Sequence, residues 1–270
     1  MKFYRLAAVF LISVIALGTG CKRASPEKVV SLSGSTSMEE VVRALGEDFT
    51  NQYDNIKVEP QFNGSSQGIR DAAEGKTDIG ITSRELYAGE KISLEAKAIA
   101  VDGIVIIVHP ENPVTDLSFQ QLADIYTGAV RNWKEVGGED SPVVVIGRDA
   151  ASGTRTAFEE LLGISEKCRY GQEKDSSGGI KIAVENTPEA VGYVSLEAAD
   201  ADRKTKKISL EGVNASKEKI QSGEYLLSRQ FFMVTRKGES LRPEVQSFLD
   251  YVLSSRGQEV VQSQHLIPVC

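Results

Sequence analysis

The chain is poor in the residues on which most site chemistry depends. Its 270 residues include two histidines and three cysteines, and its 31 Lys+Arg are outnumbered by 38 Asp+Glu. That balance lacks the basic footprint that nucleic acid requires. It also means that an anionic ligand must be caught by local donors rather than by the overall field. No His/Cys/carboxylate spacing of metal-ligand type occurs, so neither a metal site nor a cofactor is expected. His109 precedes Pro110, and His265 lies in a polar C-terminal run, poor settings for a general base. There is no repeat of solenoid type.

The apolar run Leu6 to Leu17 is too short to span a bilayer as a stable helix. With Lys2 and Arg5 before it and Gly18, Thr19 and Gly20 after it, residues 1–20 read as a signal peptide. Cys21 then stands where a bacterial lipoprotein signal, which this segment resembles, places its lipidated cysteine. The alternative is an ordinary secretory signal with an incidental cysteine. Residues 21–28 form a short tether, so the mature protein is expected on the extracytoplasmic face of the cell membrane, held by a lipid on Cys21. Loss of Lys2 and Arg5 takes the formal charge from −7 to −9. In an exported chain the two remaining cysteines, Cys168 and Cys270, are most simply a disulfide, with two unpaired thiols as the other reading.

Short apolar strands alternate with helix-period segments, the pattern of an α/β fold. Val29–Leu32, Ile56–Phe62, Asp78–Ile81 and Gly103–Val108 read as strands; Thr36–Phe49 and about Gln67–Glu74 read as helices. Thr36 and Glu39 have capping-box spacing. The cluster His109 to Pro113 breaks the pattern, and Leu117–Tyr126 resumes it as a helix. Phe231–Thr235 carries the chain back, and Pro243–Ser254 closes it as a final helix. The expected organisation is lobe 1 over 29–108, lobe 2 over 109–228, and a return crossover completing lobe 1 over 229–270. Two lobes joined by two crossovers make a cleft with a hinge.

Three turns share one design. Gly34-Ser35-Thr36-Ser37, Asn63-Gly64-Ser65-Ser66 and Arg148-Asp149-Ala150-Ala151-Ser152-Gly153-Thr154 each follow a strand and open a helix. Each combines a glycine that permits close backbone approach, hydroxyl donors, and N–H groups left free at a helix start. The third adds a guanidinium. A single serine or threonine there is an ordinary helix cap. Three such turns, two in one lobe and one in the other, point to a small oxyanion held in the cleft.

A competing reading is a serine hydrolase, since Gly64-Ser65-Ser66-Gln67-Gly68 fits the nucleophile pattern with Ser66 at its centre. No glycine-rich oxyanion segment follows an earlier strand, and no enzyme is expected. A surface adhesin or interaction protein is a third class.

The same residues carry a resemblance. Ser33-Gly34-Ser35-Thr36, Asn63-Gly64-Ser65-Ser66, Asp78 through Glu85 and Arg148 through Thr154 resemble the high-affinity phosphate-binding proteins that serve bacterial ABC phosphate importers. Tyr126-Thr127-Gly128, Val191-Gly192-Tyr193 and Leu227-Ser228-Arg229 extend the likeness over nearly the whole mature chain. The resemblance implies a two-lobed periplasmic-binding-protein fold of type II topology and a monomer. It further implies inorganic phosphate as ligand and docking on a membrane importer permease. Carried over, Thr36, Ser37 and Ser65 form one wall, and Arg148, Ser152, Gly153 and Thr154 the other. Where better-known members place an aspartate that accepts the phosphate proton, this chain has Ser83, with Glu85 as a possible substitute. That departure leaves sulfate or molybdate as alternative ligands.

Overall fold

The computed structural model describes residues 28–53 and 55–269. The expected signal segment, the tether, Cys21 and Cys270 lie outside them. The first elements are β1 (Lys28–Gly34), α1 (Glu39–Gln52), β2 (Ile56–Phe62), α2 (Ser65–Ala73), β3 (Ile79–Thr82) and β4 (Leu94–Val108). Next come β5 (Asp116–Leu117), α3 (Phe119–Thr127), β6 (Val144–Arg148), α4 (Gly153–Leu161), β7 (Gln172–Lys174), α5 (Ser177–Glu185) and β8 (Ala190–Ser195). The chain ends with α6 (Leu196–Asp200), β9 (Lys206–Lys207), β10 (Ser209–Leu210), α7 (Lys217–Gln221), β11 (Ser228–Arg236), α8 (Pro243–Val252) and α9 (Ser255–Ser263).

The main strands follow the order β2-β1-β3-β11-β4-β8-β6-β7. β1 pairs in parallel with β2 and β3, and β6 in parallel with β7 and β8. The two halves meet through antiparallel strands. Leu94 to Gly103 of β4 pair with β11, whereas Ile104 to Val108 pair with β8. One long strand therefore passes from the sheet of the first lobe into that of the second, and β11 runs back beside it. The fold is α/β and two-lobed, as expected.

Burial explains the sequence patterns. Ile104 to Val108 are fully buried, which is why this run carries no polar alternation. β2 lies at the sheet edge, and its exposed and half-buried residues alternate; an edge position also tolerates Pro60. The first lobe packs Val41, Leu45 and Phe49 of α1 against Val30, Leu32, Phe248 and Val252. The second packs Tyr126, Trp133, Phe158 and Tyr193 around β4, with the Phe158 and Tyr193 rings stacked 4.2 Å apart. α3 is held by a reciprocal cap: Ser118 Oγ accepts Gln121 N–H at 3.1 Å and Gln121 Oε1 accepts Ser118 N–H at 2.8 Å. Ser118→Ala is expected to lower stability by about 1 kcal/mol, read as a shift of the urea midpoint at unchanged slope.

Several expectations need correction. Thr36 and Glu39 form no capping box: Thr36 to Met38 is a tight 3-10 turn capped by Ser35, and α1 starts at Glu39 behind it. The Thr36 hydroxyl is engaged elsewhere, by Arg148. α2 begins at Ser65, two residues earlier than the hydrophobic pattern suggested. Leu117 belongs to the short strand β5, and α3 follows at Phe119. The expected helix Pro243–Ser254 is α8, which ends at Val252, and a further helix, α9, follows it with Ser254 as its cap.

The expected disulfide is not supported by its described member: Cys168 is a free thiol. It packs in the second lobe's core, its Sγ lies 3.9 Å from Ile164 O, and burial pushes its pKa up to about 11. Val269 N–H donates to Gln258 Oε1 of α9 at 2.9 Å.

Candidate functional site

The site is built where three strands end. Gly34 closes β1 with φ +142°, and a Cβ on it would lie 2.0 Å from Ile81 O, so only glycine lets β1 turn against β3 there. Ser35 N–H then donates to Ile81 O at 3.0 Å, and the chain enters the Thr36–Met38 turn. The second turn is anchored on the first: Asn63 N–H and Gly64 N–H both donate to Gly34 O, at 2.9 and 2.8 Å. Ser65 follows as the first residue of α2. On the other lobe β6 delivers Arg148, and Ser152 caps α4 by accepting Arg155 N–H at 3.3 Å. Arg155 also donates to Arg148 O at 2.9 Å, clamping the loop from behind.

These turns come together across the cleft. Ser37 Oγ and Thr154 Oγ1 are 2.5 Å apart, Arg148 Nη2 donates to Thr36 Oγ1 at 3.0 Å, and Ser66 N–H donates to Ala151 O at 3.1 Å. Gly153 is pressed so closely against the first lobe that a Cβ on it would lie 2.4 Å from Ser65 Oγ and 2.8 Å from Ser83 Oγ. The starts of α2 and α4 and the Thr36 turn before α1 thus face one small volume. Free N–H groups and the positive ends of peptide dipoles gather there.

Arg148 is the electrostatic centre. It is 2 % exposed, and its guanidinium hydrogen-bonds only to neutral groups: Lys174 O, Asp175 O, Thr36 Oγ1 and, at 3.5 Å, Ser177 Oγ. Its backbone N–H donates to Tyr193 Oη at 3.2 Å. Burial pulls its pKa below the usual arginine value; Tyr193, Asp149 and Asp175 oppose that pull, and the Arg229 charge adds to it. A buried cation with neutral partners is costly until an anion joins it.

Every residue singled out on the three turns lies in this cluster. Ser37, Ser65, Ser152 and Thr154 are buried, Gly153 is buried between the lobes, and Thr36 is half-buried. Ser83 is fully buried and linked to two other serines: Ser35 Oγ donates to its Oγ at 2.9 Å, and its N–H donates to Ser65 Oγ at 3.1 Å. The Ser65 and Ser83 hydroxyls are 3.2 Å apart and either can be the donor, so Ser65 can offer the cleft a hydrogen or a lone pair. Glu85 is not part of the cluster; its side chain is 70 % exposed and pairs with Lys91 at 3.1 Å. Ser35 and Ser177 were missed. Ser35 stood inside the quoted motif, but Ser177, 29 residues from Arg148, had no sequence signal.

Among the described residues no group of three or more His, Cys, Asp or Glu is placed to hold a metal ion. The hydrolase arrangement does not form around Ser66: His109 Nδ1 accepts Glu111 N–H, and His265 faces Asp200 at 3.8 Å.

Comparison with known proteins gives a consistent picture. A family model described as a PBP superfamily domain matches residues 22–256. The phosphate-binding protein PstS of Bacillus subtilis is 32 % identical over 246 residues, 89 % of this chain and 80 % of the relative. The PstS of Borreliella burgdorferi is 30 % identical over 273 residues, covering 97 % of each. Among solved structures, a Clostridium perfringens protein described as a phosphate ABC transporter substrate-binding protein, with bound phosphate, is 41 % identical. It superposes with a TM-score of 0.86 over 90 % of this chain and 100 % of that one. An ABC-type phosphate transport receptor from Vibrio cholerae is 31 % identical, with a TM-score of 0.74 over 89 % of this chain and 100 % of that one.

Proposed function

The chain belongs to the PBP superfamily and, within it, to the phosphate-binding substrate-binding proteins; from that premise we propose that it captures inorganic phosphate in the cleft and delivers it to an ABC importer. One observation carries the reading: the buried Arg148, with neutral partners alone, stands where the three turns converge. Thr36 and Ser37 supply hydroxyl and backbone N–H from the first turn, and Ser65 from the second. Arg148, Ser152, Gly153 and Thr154 close the opposite wall, and Ser83 tunes Ser65 through their hydroxyl pair. Micromolar binding needs roughly 8 kcal/mol. Hydrogen bonds to a charged group contribute about 1.5–3 kcal/mol each, so Arg148 and a few amides suffice without a metal.

The receptor is exported, with residues 1–20 removed and Cys21 carrying the lipid that holds it on the extracytoplasmic face of the membrane. No helix among the described residues is long and apolar enough to cross a membrane. In place of the expected boundary at 108/109, the lobes divide within β4, where pairing passes from β11 to β8 between Gly103 and Ile104, and again at the start of β11; hinge closure buries the anion, and the closed monomer docks on the permease.

Calorimetry of the mature protein with phosphate, arsenate, sulfate and molybdate tests this. Phosphate and arsenate, which carry a proton near neutral pH, are expected to bind with similar affinity. Sulfate is expected about a hundredfold more weakly, because the Ser65 lone pair then has no proton to accept. Absence of binding heat with all four anions overturns the reading.

A further inference from the structure

A buried acid that takes no part in the anion site lies against the start of α1. Glu197 lies in the first turn of α6 in the second lobe, is 5 % exposed, and its Oε1 has no hydrogen-bond partner among the described residues. Its carboxyl faces the start of α1 in the first lobe, where the Val41 backbone N–H and the Glu40 side chain approach it. From the crossover it faces Asp102 of β4, which accepts Leu196 N–H at 3.1 Å and pairs with Arg229 of β11 at 3.0 Å. Lys181 of α5 is the one cation that acts on it appreciably.

We propose that Glu197 is a proton-coupled latch, taking up a proton when the lobes close on the anion and releasing it when they part. The inference rests on the hinge-closing receptor described above. In the closed form a carboxylate at this position would be buried against Asp102 and Glu40 with one oxygen unbonded, an arrangement costly to a charge and tolerable to a neutral acid. Burial first, and then those two acids, push its pKa up to about 9, while Lys181 and the Val41 N–H oppose the rise. Opening withdraws α1 and admits water, returning the group toward the ordinary glutamate value of about 4.3. Asp102 keeps its partners through the motion, because Asp102 and Arg229 face each other on the paired crossover strands.

The sign follows. The proton is bound more tightly in the closed form, so protonation favours closure. Its contribution is complete below the open-state pKa and is lost as pH climbs through the closed-state value. Between the two, the closed form loses about tenfold in population for each pH unit relative to a protein with a permanently neutral group.

Glu197→Gln keeps the shape and removes the titration. Phosphate affinity measured by calorimetry at pH 6, 7 and 8 is expected to favour the variant over the wild type increasingly, by about tenfold per pH unit. The phosphate's own ionisation cancels in that ratio. At pH 7, titrations in two buffers of different ionisation enthalpy should show the wild type absorbing about one proton more per phosphate than the variant. Parallel pH profiles and equal proton uptake overturn the latch while leaving phosphate capture intact. Absence of phosphate binding in both proteins overturns both readings.

Discussion

Arg148→Ala is expected to weaken phosphate binding by about a thousandfold in calorimetry. The guanidinium is the sole permanent positive charge on the three turns, and it is already desolvated, so its bonds to an anion are made at full strength. Losing two charge-assisted bonds of about 1.5–3 kcal/mol each, at about 1.4 kcal/mol per decade, gives that figure. Arg148→Lys separates charge from geometry: an ammonium keeps the charge but cannot span Lys174 O, held by Nε, and Thr36 Oγ1, held by Nη2, as the planar fork does. It should fall between wild type and alanine. Because Arg148 also fastens the Lys174–Asp175 segment, the alanine variant should melt at a lower temperature. Affinity within tenfold of wild type would remove Arg148 from the site.

Gly153→Ala is expected to cost about a hundredfold in affinity while leaving the unliganded protein as stable as wild type. The glycine has no positive φ and begins a helix, so alanine suits its backbone, and indeed favours the helix. The obstacle appears only on closure, when the new methyl would meet Ser65 Oγ at 2.4 Å and Ser65 Cβ at 2.8 Å across the cleft. Forcing the lobes apart by that overlap costs about 1–3 kcal/mol on the scale of overpacked cores. Small-angle scattering should show the wild type contracting with phosphate and the variant contracting less. A variant that closes and binds like wild type would mean that the lobes do not meet at Gly153 in the bound state.

Much of this site was legible because its chemistry is local. A glycine, a hydroxyl and a helix start are neighbours in the chain, so each turn announced itself before its partners were known. The unbroken Gly103 to Val108 run signalled a strand with no polar alternation, and burial of Ile104 to Val108 accounts for it. What escaped reading depends on distant segments. Thr36 looked like a cap residue, yet its hydroxyl serves an arginine 112 positions away. Tyr193 stood out as part of a motif, but only the fold shows its hydroxyl accepting the Arg148 N–H. Glu85 was a reasonable stand-in acceptor by proximity to Ser83, but the chain turns after Arg84, whose guanidinium grips Glu90, and leaves Glu85 facing water. α9 escaped reading because its start is set by a cap, Ser254 Oγ accepting Gly257 N–H at 3.2 Å, rather than by a long apolar run.

The paired crossover strands have a mechanical meaning. β4 and β11 are laced by ladder hydrogen bonds from Ser228 to Arg236, interrupted by one irregularity between Phe231 and Phe232, and riveted by the buried Asp102–Arg229 pair. A laced ribbon cannot slip lengthwise without breaking several bonds at once, but it bends and twists readily. The two lobes therefore behave as jaws on a single pivot, with translation suppressed and one arc of travel left. Donors on facing jaws then return to the same register at every stroke, so a trap for an ion a few ångströms wide can be reset without being rebuilt.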